Sequence, residues 1–81
     1  MTLMEFAKLP QDEQVTRLYR SGVYVGKRKL GPTTVILYQL DGFYAEIYYL
    51  QYRRMIESIS CFSGTARLDP YLSQVVIELL V

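Results

Sequence analysis

Hydrophobic positions change their period once along this chain. Before Val23 they recur at intervals of three and four, the mark of helix; from Val23 onward they alternate, the mark of strand. The change is best anchored in Thr34–Leu50, TVILYQLDGFYAEIYYL, where two β-rich runs flank Asp41-Gly42. Asp-Gly suits a two-residue type I′ turn, in which both central residues take φ > 0, so this stretch predicts a β-hairpin.

The helical part has its own punctuation. Thr2-Leu3-Met4-Glu5 has the spacing of a capping box, and Leu3, Phe6 and Ala7 would share one helix face. Pro10 interrupts that helix, and its fixed φ suits the first turn of a second one over residues 11–20. Asp12 and Glu13 sit where the helix dipole favours acids, Arg17 and Arg20 where it favours bases. Val15, Leu18 and Tyr19 form the expected buried stripe, and Gly22 the C′ residue.

Leu30-Gly31-Pro32-Thr33 reads as a second turn and Gln51–Arg54 as a third. Counting outward from the three turns pairs Leu40 with Phe43, Tyr38 with Ala45, Ile36 with Ile47, Val25 with Tyr38, Val23 with Leu40, Ile56 with Tyr49 and Phe62 with Phe43. All of these fall on one face, which the N-terminal helix would cover. The predicted fold is therefore α+β, an N-terminal helix broken at Pro10 and packed on a four- to five-stranded antiparallel meander, as one domain over residues 1–81. The fifth strand depends on the C-terminus. Asp69–Gln74 reads as a helical turn followed by a strand, while Leu72, Val75, Val76, Leu79 and Leu80 also match a continuous helical stripe.

The same count sends Tyr24, Arg28, Val35, Leu37, Gln39, Tyr44, Glu46, Tyr48, Met55, Glu57, Ile59 and Cys61 to the opposite face. A solvated sheet face is ordinarily polar, and this one is not. Three covers suit it: the segment from Tyr71 to Val81, a second copy or another protein, or a ligand. The candidate partner-binding residues are Leu37, Tyr44, Tyr48, Ile59, Val35 and Met55, with tyrosines as rigid anchors.

Composition narrows the chemistry. There are 81 residues, 51% hydrophobic, with nine Lys and Arg against eight Asp and Glu, so no overall charge selects nucleic acid, membrane or an acidic partner. No apolar run is long enough to span a bilayer, and Met1–Leu9 lacks the pattern of a signal peptide. Cys61 is the single cysteine, which fits a reducing, cytoplasmic compartment. Histidine is absent, and with it the usual general base and the commonest metal ligand. Glu46 and Glu57 fall on adjacent strands but read as solvated carboxylates rather than a catalytic pair. No catalytic, cofactor or metal site is expected, and the chain reads as a non-enzymatic interaction domain. Single-stranded nucleic acid is the alternative partner, through Tyr24, Lys27, Arg28 and Lys29 together with Tyr44 and Tyr48.

LYQLDGFYAEIYY (Leu37–Tyr49), preceded by EQxxxLYRSGVYV (Glu13–Val25) and followed by LDPYL (Leu68–Leu72), resembles a group of small bacterial proteins sharing a YQLDGFY-type hairpin. The resemblance implies a bacterial, cytoplasmic, self-contained domain and carries over no activity, cofactor or functional residue. This chain departs from the group's pattern at Val75–Val81, which is more apolar.

Overall fold

A computed structural model describes residues 1–50, 54–64, 68 and 71. Two helices, α1 (Leu3–Ala7) and α2 (Gln11–Ser21), lead into strands β1 (Val23–Leu30), β2 (Thr33–Leu40), β3 (Phe43–Leu50) and β4 (Met55–Phe62). The strands form one antiparallel sheet in the order β1-β2-β3-β4, an α+β meander. Residues 72–81, on which the choice between a fifth strand and a helix rests, lie outside the described residues.

The capping box forms at Thr2. Its hydroxyl accepts from the Glu5 amide at 3.1 Å, and the Glu5 carboxylate accepts from the Thr2 amide at 2.8 Å. The hydrogen bond from the Thr2 backbone amide and next the Thr2 side chain hold the Glu5 carboxyl below its ordinary value. Pro10 stands one position earlier than expected. Its ψ of 153° makes it the N-cap of α2, and its carbonyl accepts from the Gln14 amide at 3.0 Å. The Gln14 side chain donates back to the Phe6 carbonyl at 3.0 Å, tying α2 to the end of α1. Gly22 is the C-cap with φ −76°, open to any residue; what requires glycine is space, since a Cβ would meet the Leu18 carbonyl oxygen at 2.6 Å.

Both tight hairpin turns behave as their residues dictate. Asp41 and Gly42 take φ of 47° and 86°, and Gly31 takes 59° ahead of Pro32. Beside the Asp-Gly turn Leu40 pairs with Phe43, Tyr38 with Ala45 and Ile36 with Ile47, as the alternation predicts. Farther from the turns, two bulges break the count. Val25 is the extra residue in β1, so Tyr24 rather than Val25 lies opposite Tyr38, and Val23 lies opposite Gln39. Glu57 is the extra residue in β4, so Ile59 pairs with Ile47, Cys61 with Ala45 and Phe62 with Tyr44. Each bulge turns the residues beyond it over. Tyr24, Ile59 and Cys61, expected on the far face, lie on the helix face, and Val25 and Phe62 have moved the other way.

The helices close the first face. Phe6 and Leu18 bury fully against Leu40, Phe43, Ala45 and Ile47, with Leu3, Leu9, Ile36, Ile56, Ile59 and Cys61 packed around them. The Phe6 and Phe43 rings meet at 5.4 Å and 53°, a favourable tilted pair. Tyr19 does not join the buried stripe. It leans on Tyr38 at 6.0 Å and stays 62% exposed, with Tyr24 edge-on to Tyr38 at 6.3 Å.

Candidate functional site

The second face is built around a buried carboxylate. Strand alternation places Arg28, Val35, Leu37, Tyr44, Glu46 and Tyr48 together on it, and Glu46 is only 1% exposed. A charge-bearing side chain at that depth is costly unless hydrogen bonds replace its water. The Tyr71 hydroxyl donates to Glu46 Oε2 at 2.7 Å, Arg28 Nη2 donates to the same oxygen at 3.3 Å, and the Tyr48 hydroxyl reaches Oε1 at 3.5 Å. Arg28 Nε also donates to the Tyr71 oxygen at 3.3 Å, and the guanidinium lies 5.7 Å from the centre of the Tyr71 ring. Tyr71, Arg28 and Glu46 thus close a triangle.

Register explains how the triangle forms. Gly26, Leu37 and Glu46 lie in one row across β1, β2 and β3, and Arg28, Val35 and Tyr48 in the next. Gly26 presents no side chain, so Arg28 reaches diagonally across β2 toward Glu46. Burial, reinforced by the hydrogen bond to Glu46, pushes the Tyr71 phenol from its ordinary 10.0 up to about 12. Burial pulls the Arg28 guanidinium down, but its hydrogen bonds to Tyr71 and Glu46 outweigh that and raise it.

Apolar contacts frame the triangle. Leu37, Phe62 and Tyr71 form a buried cluster, joined by Val25, Tyr44 and Leu68. Tyr44 stacks on Phe62 at 5.5 Å and 20°. Leu68 and Tyr71 therefore lie on this face, while the rest of the segment from Tyr71 to Val81 lies outside the described residues.

The candidate partner-binding residues divide. Val35 and Leu37 are fully buried, Tyr44 and Tyr48 are half-buried and Met55 is 47% exposed on the second face, whereas Ile59 belongs to the helix face. Glu57 accepts from the Thr33 hydroxyl at 3.2 Å, whereas Glu46 accepts from Tyr71, Arg28 and Tyr48, so the two glutamates have different partners. The nucleic-acid set divides as well. Tyr24, Lys27 and Lys29 lie on the helix side, Arg28 lies behind the sheet with Glu46, and Tyr44 and Tyr48 lie on the second face. No single platform unites them.

Sequence reasoning named Tyr71 as the start of a covering segment but not as the partner of Glu46, and it misread Glu46 as solvated. A signal for the second was present: Arg28 and Glu46 were counted onto the same face, on the two strands that flank β2, where opposite charges attract. Among the described residues no group of His, Cys, Asp and Glu could hold a metal ion, and no helix is long and apolar enough to cross a membrane. Compared with known proteins, the chain matches no family model, and no curated protein or solved structure is significantly similar to it.

Proposed function

We propose that this chain is a non-enzymatic, cytoplasmic protein-interaction domain of bacterial type, which self-associates by exchanging the segment carrying Tyr71 between two copies. The observation that carries the reading is the seat of Tyr71: a fully buried ring whose hydroxyl donates to a buried carboxylate at 2.7 Å. A cradle with an acceptor at its base, a guanidinium beside the ring and apolar walls from Leu37 and Phe62 selects a tyrosine over an apolar residue. Tyr71 lies beyond β4 in the chain, so the Tyr71 of a second copy can make the same contacts. Val35 and Leu37 are the floor of this site, and Tyr44, Tyr48 and Met55 its rim.

Light scattering over a wide range of concentration tests it. The wild-type chain is expected to pass from monomer to homodimer as concentration rises, and Tyr71→Ala to remain monomeric. A wild-type chain that stays monomeric throughout contradicts the exchange.

A further inference from the structure

The helix face also carries a hollow to which neither α1 nor α2 contributes a lining residue. An open groove of about 390 Å³ lies at the end of the sheet nearest the Gly31-Pro32 turn, lined by Lys27, Lys29, Thr34, Ile36 and Tyr49 with the backbone neighbour Arg28. Its volume is that of a site for a nucleotide-sized group.

Three placements give the groove its chemistry. Lys27 and Lys29 are two residues apart on β1, so their side chains leave the same face about 6.6 Å apart, twice the rise of a strand. Lys29 pairs with Thr34 and Thr34 with Tyr49, so a cation, a hydroxyl and an aromatic ring lie in one row across three strands. Two strand spacings separate Lys29 from Tyr49, about 9.6 Å, with Thr34 as the floor between them. Among the described residues no Asp or Glu lines the groove.

Lysines on an edge strand also guard against sheet-to-sheet pairing, which accounts for their exposure. That role does not account for a concave floor ending in a tyrosine. Cations in line with the strand, beside a ring offset from them by two strands, fit a polymer that carries a phosphate and a flat base in every unit. We infer that this groove binds single-stranded nucleic acid, its phosphates on Lys27 and Lys29 and a base against Tyr49. The site lies on the opposite face from Glu46 and Tyr71, so it stands or falls apart from the self-association.

Fluorescence anisotropy of a labelled oligothymidylate, titrated with the full chain at low salt, is the test. Two phosphate contacts predict a slope of about −1.4 for the logarithm of the binding constant against that of salt. K27E/K29E is expected to bind at least about tenfold more weakly, and Tyr49→Leu about tenfold more weakly, the scale of one lost stacked base. Tyr19→Ala, altered on α2 outside the groove, is expected to bind as the wild type does. Should K27E/K29E not fold, K27Q/K29Q is expected to flatten the salt slope. Absence of binding at low salt overturns the assignment, as does a slope unchanged in K27Q/K29Q. Full affinity in Tyr49→Leu overturns it too, since the groove would then be a site for any polyanion, and inorganic polyphosphate would compete equally.

Discussion

The two faces of this sheet solve the same burial problem with different materials. On one, two helices lay Phe6 and Leu18 over an entirely apolar floor of Leu40, Phe43, Ala45 and Ile47. On the other, Leu37 and Phe62 are closed by Tyr71, and the floor beside them contains a carboxylate. Apolar closure is tolerant, because any group of the right shape removes water from the first face. Closure over Glu46 is selective: a cover that offers no hydrogen-bond donor forfeits the 2.7 Å bond that Tyr71 makes to the carboxylate, shorter than those from Arg28 at 3.3 Å and Tyr48 at 3.5 Å. The second face therefore discriminates among covers, which is what a recognition surface requires.

Truncating each core compares the faces most forcefully. Phe6→Ala is expected to cost about 3–5 kcal/mol and Leu37→Ala about 2–5 kcal/mol in urea unfolding. Comparable losses establish the second face as true core; a Leu37→Ala cost of less than about 1 kcal/mol would mean that its cover is loose.

A smaller effect separates the faces by pH. The Tyr71 phenol sits at about 12 in the folded chain against 10.0 when exposed. As pH rises above 10, the unfolded chain releases this proton while the folded chain keeps it, so the unfolded state binds fewer protons and stability falls. The contribution is fully present below pH 10 and is lost between about 10 and 12, amounting to roughly 2–3 kcal/mol. Tyr71→Phe is expected to lack that part of the alkaline decline, while Tyr19→Phe, 62% exposed on the other face, keeps it. Equal declines in both variants would separate Tyr71 from the effect.

How far the sequence reached depended on distance from a turn. Asp41-Gly42 fixed the register of β2 and β3 outright, because only a turn with φ > 0 at both residues joins those runs. The count failed beyond Val25 and Glu57, since a bulge adds a residue without any change in the apolar-polar alternation. Val25 is β-branched and Glu57 polar, as either would be in regular strand, so neither residue announces a bulge. The polar centre of the second face was half visible: Arg28 and Glu46 were on the correct side, but the third member, Tyr71, lies past β4 and no periodicity links it to them.

The Tyr71 hydroxyl and the Glu46 carboxylate hold each other, and the second face closes on that bond. A double-mutant cycle of Tyr71→Phe and Glu46→Leu in urea unfolding at neutral pH measures that bond directly. The expected coupling is about 1–2 kcal/mol, with the double variant losing less than the two single losses summed. Additivity to within about 0.3 kcal/mol would contradict it, and with it the case for the second face as a tyrosine-selecting site.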